Sequence, residues 1–261
     1  CIKIKVWAMS GRVGSITTGI IADGLVFHVD AANRASYPKT GVKWNDTVNG
    51  NNTTLTNDPT FNSGDIDFFH LDGSDDGIIG NQSTLLSFDN GSTDRPFSAF
   101  AWANVDNTSS SHPLIGKYRS YAPFRGEYNI SVITGGQVAA QLLDGATTIR
   151  CRQTTTSAIS AGQWYNLGFT YNANGLDNGL KMYVNGQKVA SSDFGQDNSY
   201  VAMQRASDPS ELSIGVALDE GNTQYQSNLD GKIANAQIYA KELSANEILH
   251  NYNALKGRFG L

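Results

Sequence analysis

From residue 65 to residue 239 the chain is a succession of short runs in which large apolar residues alternate with small or polar ones. Gly, Asn or Asp closes most of them. Side chains along a strand point to opposite faces in turn, so a period of two marks strands with one buried face. The pattern is clearest in 97–105, 127–133, 163–171 and 231–239. Runs at 65–71, 77–80, 137–143, 147–152 and 212–216 belong to the same series, and an apolar run at 25–29 precedes it. Runs 181–184 and 187–190 flank Asn185-Gly186. That pair tolerates the two positive φ angles of a type I′ turn, which predicts a tight hairpin. About a dozen strands at this spacing predict an all-β fold, a two-sheet antiparallel sandwich.

The acids point the same way. There are 19 Asp against 5 Glu, with 24 Asn and 27 Gly. Turn formers are abundant and the helix-forming acid is scarce, which disfavours a helical bundle or a doubly wound α/β enzyme. One helix is expected. Ser244-Ala-Asn-Glu247 is a capping box, Ile248, Leu249, Tyr252 and Leu255 make one apolar stripe, and Gly257 is the expected left-handed stop. This helix is expected to dock on the sandwich as a short lid. Residues 31–64 are rich in Asn, Thr, Pro and Gly and read as a long loop with at most one short strand. No linker or internal repeat interrupts the series. The expected organisation is an arm at 1–22 and one sandwich domain at 23–261.

Charge and cysteines exclude several classes. A net charge of −5 advertises no surface for phosphates, so nucleic acid is not an expected partner. No apolar run approaches the roughly 18 residues of a membrane helix, so no membrane insertion is expected. Cys1 and Cys151 make neither a zinc ribbon nor a knottin, and their spacing leaves open whether they pair. The segment before Met9 is too short and too charged for a signal peptide, and Met9-Ser10-Gly11 reads as a natural start.

Seven segments in order carry a resemblance. They are 70–73 (His-Leu-Asp-Gly), 95–102, 162–171, 179–188, 212–215, 229–239 and 243–248. Together they resemble the laminin-G-like, concanavalin A-like jelly-roll superfamily. The resemblance implies a jelly roll with carbohydrate recognition at the rim loops and, in many relatives, calcium there. A second resemblance rests on 9–19 (Met-Ser-Gly-Arg-Val-Gly-Ser-Ile-Thr-Thr-Gly), 23–38 and 252–261. These segments are similar to structural proteins of tailed bacteriophages. That resemblance implies a place on the virion surface, as a capsid decoration or a tail- or fibre-associated protein. It also implies other virion subunits as partners, and by analogy a homo-oligomer such as a trimer. Arg12, Val13, Ile16 and Ile20 would then be anchoring residues of the arm.

The candidate chemistry follows. Sugar-cleaving members of the wider superfamily carry Glu-x-Asp-x-x-Glu on one strand, and 65–70 here reads Asp-Ile-Asp-Phe-Phe-His. Retaining hydrolysis needs two carboxyl groups about 5 Å apart. A shortened first acid and a His in the last place therefore predict no enzyme. Asp72, Asp75 and Asp76 form the densest acidic cluster, and Asp219, Glu220 and Asp230 join it if their loops share a rim. Calcium takes such oxygen ligands, and a hydrated turn is the alternative. Tyr37 and Trp44 are the candidate sugar-stacking aromatics, with a loop anchor as the alternative for Trp44. Trp102 and Trp164 are expected in the core. His28, His70, His112 and His250 share no metal spacing. The expected function is a non-enzymatic virion protein whose jelly roll binds carbohydrate. A decoration without ligand, a secreted or lipid-anchored bacterial lectin acylated at Cys1, and a degenerate glucanase are the competing readings.

Overall fold

The computed structural model describes residues 19–90, 92–118, 126–144, 150–193, 200–203, 210–218 and 225–261. In chain order the strands are β1 (Leu25–Asp30), β2 (Lys43–Trp44), β3 (Thr53–Thr56), β4 (Thr60–Asn62), β5 (Phe68–Asp72) and β6 (Gly77–Ile79). Then come β7 (Phe97–Val105), β8 (His112–Tyr118), β9 (Gly126–Val132), β10 (Val138–Leu143), β11 (Arg150–Thr155), β12 (Tyr165–Tyr171) and β13 (Leu180–Val184). The last are β14 (Gln187–Lys188), β15 (Ser191–Asp193), β16 (Ser213–Ile214), β17 (Val216–Leu218), β18 (Tyr225–Asn228) and β19 (Asp230–Tyr239), followed by helix α1 (Ala245–Leu255).

One sheet runs β14-β13-β12-β7-β19-β5-β4, with β1 also paired to β19. The other large sheet runs β15-β11-β10-β9-β8-β16-β6-β3-β2, β17 and β18 form a separate two-stranded ribbon, and the pairings are antiparallel. Inward-facing Phe69, Leu71, Phe97, Ala99, Ala101 and Phe169 of the first sheet meet Ile78, Leu114, Tyr128, Ile130, Val132 and Leu142 of the second in one buried core. The two-sheet antiparallel sandwich is the expected one.

The hairpin and the helix follow their local signals. Asn185 (φ 51°) and Gly186 (φ 75°) join β13 to β14 as a two-residue turn with both angles positive. The hydroxyl of Ser244 accepts from the amide of Glu247, and the Glu247 carboxylate accepts from the amide of Ser244. The expected stop at Gly257 is corrected. A 3₁₀ turn (Lys256–Phe259) continues the helix, and Gly260 (φ 73°) is the left-handed residue. The extra turn carries Phe259 onto Trp102.

Helix α1 covers the outer face of the first sheet. Ile248 packs with Phe100, Tyr183, Tyr239 and Leu243. Gly168 makes room on this face, since a Cβ there would lie 2.1 Å from the Phe100 ring. Trp102 and Trp164 pack under Tyr252, Leu255 and Phe259, on this outer layer and not between the sheets. The chain before β1 is tied to the same helix: Ile21 donates its amide to Asn251 Oδ1 (2.7 Å), and His250 donates to the carbonyl of Gly19 (2.8 Å). Of the expected arm residues, Ile20 is half-buried, and Arg12, Val13 and Ile16 lie outside the described residues.

The region expected to be loop holds three strands, β2, β3 and β4. Asn49-Gly50, a pair that in sequence signals a tight turn like Asn185-Gly186, does not form a two-residue hairpin turn. The longer β2–β3 connection is organised by Asp46, whose carboxylate accepts amide hydrogens from His28, Val48, Asn49 and Asn51 at 3.0–3.1 Å. Strand β8 is a further addition. Pro113 interrupts its ladder and a bulge follows it, which is why no clean alternation marks it.

Candidate functional site

Four aromatic rings join the β2–β4 region to β5. Trp44 and Phe69 form the inner pair, with centroids 4.9 Å apart, and Tyr37 and Phe61 form the outer pair at 4.8 Å. Phe69 also contacts both outer rings, at 4.8 and 5.5 Å. Trp44 is 0% exposed. It is therefore the plug of the loop and not a sugar-stacking surface, which corrects that expectation. An indole with no exposed edge offers no face to a ligand.

The outer pair opens onto a cleft of about 580 Å³. Tyr37, Leu55, Pro59 and Phe61 form its floor, and Thr40, Val42, Asn57, Asp58 and Thr60 its exposed rim. Tyr37 lines the cleft as expected for a sugar contact, yet it is only 4% exposed and its hydroxyl is spent on the carbonyl of Gly41 (2.9 Å). Half-buried Phe61 is the more accessible ring. Val42, 57% exposed, adds an apolar edge. Apolar floors with a few polar rim groups are the usual form of a ligand cleft.

The backbone around this cleft is held in an uncommon conformation. Lys39 (φ 71°), Asn57 (φ 61°) and Asp58 (φ 76°) are left-handed although none is glycine. Such residues cost on the order of 1–2 kcal/mol each and persist where surrounding contacts fix them. Here Asn57 Nδ2 donates to the carbonyl of Asp75 (2.8 Å), and Lys39 Nζ lies 3.0 Å from Asp67.

Asp75 belongs to the acidic loop expected from the sequence. Carboxylate oxygens of Asp72, Asp75 and Asp76 lie within 4.8 Å of one another. Asp72 Oδ1 accepts the amide of Ser74 (2.8 Å), a contact that holds its carboxyl below the usual range, with further help from the amide of Asp75. Burial pushes Asp76 up, and the charges of Asp72, Asp75 and Asp58 push the same way. Asn228 donates from Nδ2 to the carbonyl of Ser74, while its buried Oδ1 has no hydrogen-bond partner. An all-oxygen donor set of this kind is the type that a hard cation such as calcium takes, although Asp76 Oδ2 already accepts the amide of Asp72 at 3.0 Å. Asp219, expected as a fourth ligand, and Glu220 lie outside the described residues.

A second cluster, invisible in sequence spacing, unites His70, Asp106 and Asp230 within 4.8 Å. Its charges are answered internally. Asp106 accepts from His70 Nε2 (2.9 Å) and Lys232 Nζ (2.5 Å), and Asp230 accepts from Asn107 (2.6 Å). A further cleft of about 500 Å³ at the start of α1 is paired in part, with Lys188 also on its lining. Lys181 meets Glu242 at 2.6 Å, and Lys241 meets Asp23 and Glu247 at 2.5 and 2.7 Å. The cleft beside Tyr37 differs in having one charged side chain on its lining, Asp58, with no cation on that lining.

Sequence reasoning missed Asn57, Asp58 and Phe61. The Asn-Asp-Pro run at 57–59 is a turn signal, but nothing local to it says that the turn borders a cleft.

Solved structures similar to this chain include larger proteins. The Trypanosoma rangeli sialidase in complex with sialic acid matches at 16% identity and a TM-score of 0.60, over 90% of this chain and 33% of the sialidase. A botulinum neurotoxin type C structure, described by its dependence on two ganglioside molecules for cell entry, matches at 17% and 0.60, over 89% of this chain and 51% of that one. The binding domain of botulinum neurotoxin DC in complex with rat synaptotagmin II matches at 16% and 0.62, over 90% and 52%. This chain thus spans about a third of the sialidase and about half of each toxin chain. At these identities the likeness is one of fold. Nothing among curated proteins matches. Residues 72–249, more than half of the chain, match the family described as the concanavalin A-like lectin/glucanases superfamily, and the chain belongs to that superfamily.

Proposed function

We propose that this chain is a non-enzymatic carbohydrate-binding protein displayed on the surface of a bacteriophage virion. The observation that carries the binding is the open cleft with Phe61 and Tyr37 on its floor and Asn57, Asp58, Thr40 and Thr60 on its rim. An aromatic face suits the C–H surface of a sugar ring, and rim amides, hydroxyls and a carboxylate suit its hydroxyls. The sialic acid and gangliosides of the similar structures belong to those proteins and lend the reading support by fold alone. The virion location rests on the likeness of 9–19, 23–38 and 252–261 to structural proteins of tailed phages.

The carboxylates support a role without turnover. Hydrolysis needs a nucleophile and an acid flanking one bond. Asp67 is engaged by Lys39 (3.0 Å), Asp65 is exposed ahead of its strand, and the cleft itself is lined by a single acid. Calcium bound through Asp72, Asp75 and Asp76 would neutralise the acidic loop and, through Asp75 and Asn57, brace the cleft wall.

A glycan array probed in calcium and in EDTA tests the binding, with Phe61→Ala as the control. Binding lost in Phe61→Ala supports the cleft. Silence in both conditions, with the protein folded, removes carbohydrate recognition and leaves a decoration without ligand. Mass spectrometry of purified particles tests the location, and absence of the chain from them removes it.

A further inference from the structure

We propose that the cleft selects its glycan by charge, taking neutral and free-amine sugars and rejecting those that carry a carboxylate or sulfate. This deepens the carbohydrate reading above and rests on it. Asp58 is the charged side chain of the lining, and it is exposed on the rim. Where no cation occupies the acidic loop, the field of Asp58 does not stand alone. Asp58 adds to the charge felt by Asp76, and Asp72 and Asp75 act on the same group. The cleft wall itself is tied to this acidic loop through Asn57 and the carbonyl of Asp75.

No lysine or arginine is on the lining to offset that field. Lys39 stands 5.9 Å from the centre of the Phe61 ring, but its ammonium is held by Asp67 at 3.0 Å. Lys43 donates to Thr54 Oγ1 (2.7 Å), and neither lysine lines the cleft. A glycan carboxylate entering here would meet Asp58 with no arginine or lysine on the lining to receive it, and like charges so placed repel. A protonated amine would meet a carboxylate with room for direct contact.

The test uses matched pairs on one array, with the protein in calcium and in EDTA. One pair is a glucosamine oligomer with free amines against its N-acetylated form, and the other is lactose against sialyl-lactose. A unit charge about 4 Å from Asp58 in a water-like medium is worth roughly a fivefold change in affinity. The expected result is about fivefold tighter binding of the free-amine form at low salt, weaker binding of sialyl-lactose than of lactose, and ratios that shrink as salt rises. Asp58→Asn keeps a residue that tolerates the left-handed backbone and is expected to level both ratios. Equal or better binding of the sialylated sugar overturns the charge selection while sustaining carbohydrate recognition. Ratios unchanged in Asp58→Asn overturn it as well. A folded protein that binds no glycan of any class removes both.

Discussion

The side-chain amide of Asn57 donates a 2.8 Å hydrogen bond to the carbonyl oxygen of Asp75. The two residues are 18 positions apart and belong to different features, one to the cleft rim and the other to the acidic loop. Their contact makes the cleft wall and the loop one unit, so a change in either is felt by the other.

Asn57 combines that bond with a left-handed backbone (φ 61°). Asn57→Ala loses the bond and adds the steric cost of the conformation, together about 2 kcal/mol. Asn57→Gly loses the bond alone and is expected to cost about half as much. Urea unfolding of the two variants measures the difference. Equal costs would show that the backbone conformation is not strained.

Phe259 lies face to face with Trp102, with centroids 4.0 Å apart and planes 8° from parallel. Phe259→Ala opens a gap between Trp102 and Trp164 and is expected to cost about 3 kcal/mol. Water reaching the indoles is expected to move tryptophan emission to longer wavelength in the folded state. An unshifted spectrum with unchanged stability would mean that the final 3₁₀ turn does not seal the sheet.

Lys117 and Glu127 form a fully buried ion pair, Nζ to Oε1 2.9 Å, supported by Ser87, whose Oγ also accepts from Lys117. Burial pushes the Glu127 carboxyl up and Lys117 opposes that rise. Lys117→Met strands the carboxylate and is expected to cost about 3–5 kcal/mol at neutral pH. A carboxyl raised by burial is more easily protonated in the native than in the unfolded chain. The penalty therefore shrinks as pH falls through the folded pKa of Glu127. The double variant Lys117→Met/Glu127→Leu is expected to regain much of the loss. Denaturant midpoints across pH and across the three proteins decide this.

Glu247 is held down to about 2 by the hydrogen bond from Lys241, with the Ser244 amide next. A depressed folded value adds stability that is present above the unfolded value of 4.5 and lost as pH falls toward about 2. Glu247→Ala is expected to lower stability by about 1 kcal/mol at pH 7, in line with loss of a capping interaction. The gap should close near pH 2. Calorimetry at both pH values reads it, and a gap constant with pH would assign the effect to helix propensity.

Much of the sandwich is legible in the chain's local patterns, and the reason is locality itself. A period of two over 97–105 names a strand, although both of its faces are buried, one in the core and one under α1, Asn185-Gly186 names its own turn, and Ser244 with Glu247 names a helix start within four residues. Strand β8 escapes because Pro113 breaks its alternation, and β2 to β4 escape because strands of two to four residues carry too little pattern.

The candidate site is legible only in part. Tyr37 stands out in the sequence and lines the cleft, and the Asp72–Asp76 loop, which also stands out, is tied to the cleft rim through Asn57 and Asp75. Trp44 carries the same aromatic signal as Tyr37 and lies in the core, because a ring in a loop can face inward or outward with the same neighbours in sequence.

By itself the sequence determined the longer strands, where the helix begins, and that Asp72, Asp75 and Asp76 share one loop, since each of these rests on residues a few positions apart. Tertiary structure decided which aromatic is exposed, that Asn57 reaches Asp75, and that Asp58 is the charge lining the cleft. Those facts depend on the order of strands in the two sheets, which brings β2, β3 and β4 beside β5 and β6. Burial is set by what covers a face, and no residue's immediate neighbours in the chain can say what that will be.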